Sequence, residues 1–591
     1  MNEKSDLMTF SCVQNKIIIR LRDRVCETGE ELLSSSLFRE MLKRFIETLE
    51  KRKSPLLRLF RLEDDHVTGE EIDKLIRSFI YLEKLTLAET RCLIKDAAPM
   101  LDDPELLYVF IERFYDYWRS FERYLICDSE GDRLDKRPYR TFNSTVESLT
   151  HLIRKIYRDI AENVTGRHPS VYRQIAAGAE VAVIALPRPI DFPQRYREKL
   201  APLPIIRQIL LYPPLLLNPP MNKRTGQFVR VMQNPLWKES LDKDEWLGYP
   251  AKVGELYILI YFHSRFYELG LSLSNLFEIA DDEIIKRKPD AIYLFGVSPE
   301  SVAGLAPMPT VFFDDEENDL LVAAVPREDR FGYFGYLKKM VLTLHNVIML
   351  KRDRLPFHGA MVRILLKNNK AATMLIFGDT GAGKSETLEA FRNLASDLIE
   401  EMTIIADDMG SLHLDESGQI IGYGTEIGAF VRLDDLKPGY AFEQMDRAII
   451  MNPSQINARV VLPVTRYEEV VKGYPVDMIL YANNYEEVDA EKPIIEKFHS
   501  PEQALAVFRE GAAMSKGTTT STGLVRTYFV NIFGATQYRD LHEQKAEKYF
   551  RAFFDAGIFV GQLRTRLGIP GWEWKGPEES AKALLEFINN L

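Results

Sequence analysis

Residues 378–385 read Gly-Asp-Thr-Gly-Ala-Gly-Lys-Ser, a G-x-x-x-x-G-K-S pattern that follows the apolar run Met374-Leu375-Ile376-Phe377 and precedes a helix-forming segment from Glu386 to Ala395. A phosphate-binding loop needs this order of strand, glycine turn and helix start. Glycines let backbone N–H groups close around phosphate oxygens, and the helix N-terminus adds partial positive charge. The pattern assigns Gly378, Asp379, Thr380, Gly381, Ala382, Gly383, Lys384, Ser385 and Glu386 to a nucleotide such as ATP. Lys384 would reach the outer phosphates, and the Ser385 hydroxyl would sit on Mg²⁺. The alternative is a glycine-rich turn without a ligand.

A second apolar run, Met402–Ala406, ends in Asp407-Asp408. Carboxylates at the C-terminal end of a strand beside such a loop stand where a Mg²⁺-linked aspartate and a base are needed. The same residues would also make a surface acidic turn, since Asp-Asp-x-Gly is good turn chemistry.

The elements that must hold these residues are legible in part. The run of strands expected for a nucleotide domain from about 326 to the end is Met361–Leu366, Met374–Phe377, Thr403–Ala406, Ala448–Met451, Val476–Leu480 and Phe529–Phe533. Residues 171–325 read as a mixed α/β domain. It has strands at Val181–Leu186, Ala291–Phe295, Val311–Phe313 and Leu320–Val325, and a proline-rich stretch between Pro202 and Pro220. Residues 1–170 read as helical, with amphipathic stretches at Leu106–Leu125 and Val146–Ile160. There, Thr68-Gly69-Glu70-Glu71 has the pattern of a capping box, and Ile72, Leu75, Ile76, Phe79 and Ile80 repeat on one face. Their charged faces are solvated or bind a protein partner; the sequence leaves both open.

Composition narrows the class. A chain of 591 residues has room for two to four domains, and 46% apolar with 28% charged residues is ordinary for a globular protein. A net charge of −11 argues against an extended nucleic-acid surface. No run has the apolar length for a membrane span, and the N-terminus lacks a signal-peptide pattern. Cys12, Cys26, Cys92 and Cys127 include no C-x-x-C pair. They read as reduced thiols, so the expectation is a cytoplasmic protein without membrane attachment.

Further motifs keep a recognisable order: Tyr333-Phe334-Gly335-Tyr336-Leu337-Lys338-Lys339, Pro356-Phe357-His358-Gly359-Ala360, Asn457-Ala458-Arg459-Val460-Val461-Leu462-Pro463, and Lys516-Gly517-Thr518-Thr519 through Phe533-Gly534-Ala535. From about Tyr333 to Glu586 the chain resembles the ATP-type phosphoenolpyruvate carboxykinases. More distantly it resembles HPr kinase/phosphorylase, which shares their phosphate-loop fold. The resemblance implies an α/β, P-loop-containing, carboxykinase-like catalytic domain at 326–591; with the patterning above, the expected fold adds a mixed α/β middle domain at 171–325, which could serve as a substrate-side lobe, and an all-α domain at 1–170 of unknown role. It implies that Tyr333 faces a carboxylate substrate, that Lys339 and His358 bind a catalytic Mn²⁺, and that Asp408 and Ser385 serve metal. Arg459 would bridge nucleotide phosphate and second substrate, a role suited to a forked cation. Without the resemblance His358 reads as an ordinary polar residue and Arg459 as a surface ion pair.

Several positions depart from the carboxykinase pattern. The Gly-Asp-Thr-Gly and Gly-Lys-Ser-Glu pieces of the loop, and Ala406-Asp407-Asp408, are also similar to the HPr kinase pattern. Thr520 replaces the arginine that borders the adenine in carboxykinases, and Arg526 replaces a threonine. The substrate-holding arginine of that family has only a short echo in Thr225-Gly226-Gln227-Phe228-Val229-Arg230, which leaves Arg224 or Arg230 as its candidate. The leading expectation is therefore an ATP-, Mg²⁺- and Mn²⁺-dependent conversion of oxaloacetate to phosphoenolpyruvate and CO₂, with Lys384, Asp407, Asp408, Arg459 and Tyr333 as catalytic residues. The runner-up is a kinase acting on a hydroxyl of a protein or small metabolite, with Asp407 as base. A nucleotide-sensing module without catalysis is the third.

Overall fold

The computed structural model describes residues 8–21, 25–128, 138–379, 381–394, 398–436, 442–515 and 523–590. It is a mixed α/β protein whose chain divides into two compact units, Met1–Leu186 with Ile206–Tyr212, and Pro187–Ile205 with Pro213–Leu591. No helix among the described residues is long and apolar enough to cross a membrane.

The first unit contains strands β1 (Met8–Val13) and β2 (Lys16–Leu21), helices α1 (Ser36–Lys51), α2 (Gly69–Leu82) and α3 (Pro104–Arg119), strand β3 (Glu122–Cys127), helix α4 (Pro138–Thr165), and strands β4 (Val181–Leu186) and β5 (Ile205–Leu211). β1 and β2 form an antiparallel hairpin, while β2, β3 and β4 run parallel and β5 lies next to β4. The helices start where side chains satisfy orphan N–H groups. Ser35 Oγ accepts from Phe38 N (3.2 Å), Thr68 Oγ1 from Glu71 N (3.3 Å) and Asp103 Oδ1 from Leu106 N (3.0 Å). Only this half of the expected capping box at Thr68 forms, because Glu71 instead accepts from Arg61 N (3.0 Å) and pairs with Lys74.

The expectation of an all-α region at 1–170 is corrected: β1, β2 and β3 lie inside it. Ile17-Ile18-Ile19 is too short a run to show a period. The stretch Leu106–Leu125 is a helix ending at Arg119 followed by the strand from Glu122. The strand at Val181–Leu186, expected to open the middle domain, belongs to the first unit.

The second unit begins with a sheet of β6 (Val229–Val231), β7 (Trp246–Val253), β8 (Leu256–His263), β9 (Ala291–Val297), β10 (Val311–Asp315) and β11 (Leu320–Pro326), in the order β7-β8-β9-β11-β10-β6. β10 and β11 pair antiparallel across the acidic turn. Helix α5 (Phe334–Lys351) follows, buried along almost its whole length. A helix apolar on all sides belongs in a core, which is why α5 shows no amphipathic stripe.

Next come β12 (Leu355–Leu366), β13 (Ala371–Phe377), α6 (Lys384–Leu394), β14 (Ile399–Ala406), β15 (Met409–Leu414), β16 (Ile420–Gly424), β17 (Gly428–Arg432), β18 (Ile449–Met451), β19 (Arg459–Pro463), β20 (Met478–Asn483) and β21 (Phe559–Arg564). A second sheet runs β16-β15-β12-β13-β20-β21, with β14 also on β12; β17, β19 and β18 belong to a smaller sheet. β13, β20 and β21 are parallel. They are apolar on both faces, with Leu375 and Phe377 in one core cluster and Met374 and Ile376 in another. The strand expected at Phe529–Phe533 is corrected to a turn: Phe529, Val530 and Asn531 have φ of 43°, 50° and 64°.

Candidate active site

Strand β12 brings the site together. Its first residues pair with β15, its last with β14, and the β14–β15 connection carries Asp407 and Asp408 past the middle of β12. Gly359 N donates to Asp408 O (2.9 Å), and Gly378 N donates to His358 O (3.1 Å). One strand thus fixes the acidic pair on one side and the start of the glycine loop on the other. Gly359 has no room for a side chain, since a Cβ would lie 2.5 Å from Ile376 O.

The loop leaves β13 and enters α6 at Lys384. Gly381 and Gly383 have φ of +80° and +92°, the left-handed region that favours glycine. A Cβ on Gly383 would meet Thr565 Oγ1 at 2.6 Å. Thr565 Oγ1 donates to Ala382 O (2.7 Å) and Asn484 Nδ2 to Gly381 O (2.9 Å), so two residues outside the motif pin the loop. Lys384 Nζ folds back onto Gly378 O and donates to Asp379 O at 3.2 Å. Ser385 and Glu386 stand in the first turn of α6. Thr380 lies outside the described residues, as do Lys516 to Thr520.

Asp408 is the centre of the charge cluster. Its Oδ2 accepts from Lys339 Nζ (2.6 Å) and lies 3.0 Å from Lys338 Nζ, while its Oδ1 lies 3.0 Å from His358 Nε2. His358, fully buried, donates from Nδ1 to Val530 O (2.6 Å). A carbonyl can only accept, so the Nδ1 proton is fixed and Nε2 faces the carboxylate. The left-handed turn that presents Val530 O also aims Asn531 Nδ2 at Asp379 Oδ2 (3.2 Å), and Asp379 Oδ1 is 3.9 Å from His358 Nε2.

The two lysines differ in their acids. Lys338 Nζ has Glu426 Oε1 at 3.1 Å as well as Asp408. Burial pushes Lys338 down, but Asp408 and Glu426 outweigh it and its affinity for a proton is raised. Burial pushes Lys339 down too; Asp408 only partly compensates and Lys338 opposes its charge, so it ends lowered. Lys339 is therefore the lysine that holds its proton less tightly. Burial raises Asp408, yet Lys338, Lys339 and His358 hold it well below the usual carboxylate range. Burial lifts Glu426 to about 7, with Lys338 opposing and the two aspartates adding. Asp407 is raised by burial, Lys338 and Lys384 opposing and Asp408 adding.

Tyr333 is the extended residue that caps α5, and Arg459 opens β19. Arg459 acts electrostatically on the Tyr333 phenol, and both pack on Phe430, with ring centroids 5.9 Å apart for Tyr333 and Arg459 Cζ 5.5 Å from the ring. Burial raises the Tyr333 phenol against the pull of Arg459, Arg224 and Lys338. Burial lowers Arg224, with Tyr336, Tyr333 and Asp379 opposing, so Arg224 belongs to this neighbourhood. Arg230 does not: it pairs with Glu316 (3.3 Å) and Asp314 (3.6 Å) and stacks on Tyr538. Arg526 is an exposed partner of Glu510.

The structure thus joins Lys339, His358 and Asp408 directly, sets Asp407 within the field of Lys384, and joins Tyr333 to Arg459. Sequence reasoning missed Lys338, Glu426, Asn484 and Thr565. An acid between apolar strands was the one signal for Glu426, and nothing in the adjacent pair Lys338-Lys339 separates their roles.

Among the described residues no group of three or more His, Cys, Asp or Glu side chains is arranged to hold a metal. The donor set at Asp408 is of another kind, an imidazole, a carboxylate and an amine of lowered proton affinity. It fits a borderline transition ion better than a hard one. No protein-family model matches this chain, and no curated protein matches it significantly.

Proposed function

We propose that the second unit is a nucleotide-dependent phosphoryl-transfer enzyme. Within that class the reading supported best is a carboxykinase-like reaction in which oxaloacetate and ATP give phosphoenolpyruvate, ADP and CO₂. The observation that carries it is the meeting of Lys339, His358 and Asp408 at 2.6 and 3.0 Å, tied to the glycine loop through the His358 carbonyl.

The backbone of 378–386 would take the phosphates, with Lys384 leaving the loop carbonyls for the outer phosphate. Ser385 and the aspartate pair would hold Mg²⁺. Lys339, His358 and Asp408 would hold Mn²⁺, which when bound supplies positive charge beside a developing enolate oxygen. Tyr333 and Arg459, both packed on Phe430, would offer a hydroxyl and a guanidinium to a carboxylate. Arg224, which acts on Tyr333, would add a cation. Decarboxylation itself generates the nucleophilic oxygen, so no protein base is needed for transfer.

One observation favours a second reading. Asp407 stays out of the lysine–histidine cluster and its affinity for a proton is raised, as suits a base for an acceptor hydroxyl. Product analysis separates the two. With ATP, Mg²⁺ and Mn²⁺, the carboxykinase reading expects oxaloacetate-dependent ADP and CO₂ release in equal amounts. ADP formation driven by hydroxyl acceptors and unaffected by oxaloacetate would replace it with the kinase reading.

A further inference from the structure

The first unit holds a partly open apolar cavity of about 130 Å³, bounded by α1, α2, α3, α4 and β2. Phe38, Phe79, Phe114, Leu149, Ile153 and Ile156 are among the residues of its wall. Three polar groups along it are committed elsewhere: Ser35 Oγ donates to Leu32 O (2.7 Å), Trp118 Nε1 to Ala177 O (2.6 Å) and Tyr157 OH to Glu112. A buried water needs two to four polar partners, so this space does not suit water. Protein interiors keep few voids larger than one water, and an apolar cavity of about 150 Å³ takes up a molecule the size of benzene.

One wall leads to charge. Tyr115 and Tyr157 line the cavity as a stacked pair, centroids 3.8 Å apart and 6° from parallel. Arg119 Cζ stands 5.8 Å from the Tyr115 ring centroid, and Arg154 also acts electrostatically on its phenol. The Nε atoms of Arg119 and Arg154 are buried and have no hydrogen-bond partner among the described residues. Their other contacts are long: Arg119 Nη1 to Asp116 Oδ1 at 3.5 Å and Arg154 Nη1 to Gln174 O at 3.4 Å. Arg123 nearby is already used, by Gly178 O at 2.8 Å and Glu180 Oε1 at 3.0 Å. Neither arginine lines the cavity itself, but both act on Tyr115, which does, so two guanidinium groups with unmet N–H capacity lie near that ring, and a carboxylate is the group that matches them.

We propose that this cavity binds a small anionic amphiphile, a straight-chain carboxylate of up to about eight carbons with no more than about six of them inside the cavity, tail among the phenylalanines and head outside it at Arg119 and Arg154. The proposal is independent of the nucleotide reading of the second unit.

The test is equilibrium dialysis of the full chain with labelled octanoate and, separately, octanol, which has the same tail without the charge. Saturable one-site binding is expected, tighter for octanoate. Ile153→Trp, which fills the cavity, should weaken both by at least about tenfold, and Arg154→Gln should weaken octanoate by about tenfold while leaving octanol within about twofold. Leu149→Phe is the milder filling variant if circular dichroism shows that Ile153→Trp misfolds. No saturable uptake of either compound at millimolar concentration, or uptake indifferent to both filling variants, overturns the site. Equal loss of octanoate and octanol in Arg154→Gln overturns the head-group assignment.

Discussion

Asp408 sits between two lysines and an imidazole, and its removal should be felt in both stability and activity. Asp408→Asn leaves Lys338 with Glu426 alone and Lys339 with no carboxylate at ion-pair distance among the described residues, and breaking a buried pair in this way commonly costs about 3–5 kcal/mol. In folded protein, checked by circular dichroism, Asp408→Asn and Lys384→Ala should each lower phosphoryl transfer at least about a hundredfold, the scale of losing a preorganised charge of ~3 kcal/mol. Near-normal turnover in either would remove the mechanism. His358→Ala should abolish any increment that Mn²⁺ gives above saturating Mg²⁺ while leaving ATP affinity, measured by calorimetry, nearly intact. Glu426 gives a pH signature. Its carboxyl rises from an ordinary 4.5 to about 7 in the fold. The folded state therefore binds more protons than the unfolded state in that window. The contribution of Glu426 to stability is fully present below 4.5 and lost as pH rises to about 7. Denaturant melts should show this loss in the native chain and a flatter profile in Glu426→Gln. Of these residues, Asp408, His358 and Lys339 were legible in the sequence because they stand in ordered motifs. Lys338 and Glu426 were not, because their roles depend on which of two adjacent lysines has a second acid within reach.

At the scale of elements, the glycine loop shows why its spacing is required. Gly383→Ala would place a methyl against Thr565 Oγ1 and hold a side chain at φ +92°. The left-handed conformation alone costs a non-glycine residue roughly 1–2 kcal/mol. ATP affinity should fall at least about tenfold in Gly383→Ala, and Thr565→Ala added to it should recover only part, since the backbone penalty persists. Full recovery would mean that the clash alone mattered. Strand β13, α6 and the strand into Asp407 were readable because apolar runs, glycines and acids follow one another in chain order. The segment Phe529–Phe533 was misread for an equally physical reason. Its apolar residues are buried as a strand's would be, yet Val530, a β-branched residue, is held at φ 50° so that its carbonyl meets His358. Strain of this sort is imposed by tertiary context and leaves no local pattern.

At the scale of the molecule, the chain leaves the first unit at Leu186 and returns for Ile206–Tyr212. The intervening segment gives the second unit Ile190, Phe192, Tyr196, Leu200, Leu203 and Ile205 of one core cluster. A chain starting at Pro213 should therefore lose its cooperative melt, while one starting at Pro187 should keep both the melt and ATP binding. Equal behaviour of the two would show that this segment is not needed. The sequence placed the boundary near 170 because the helical periodicity stops there. It could not show that β1–β3 draw Val181–Leu186 into the first unit, since strand pairing is set by partners far away in the chain.

Label tracing follows the proposed transfer of the γ-phosphoryl group of ATP to the enolate of oxaloacetate. The chain is incubated with γ-³²P-ATP, oxaloacetate, Mg²⁺ and Mn²⁺, and the products are separated by ion exchange. The account expects ³²P in phosphoenolpyruvate, in step with CO₂ release and absent with Lys384→Ala. Tight ATP binding with no label in phosphoenolpyruvate under any metal condition would contradict it.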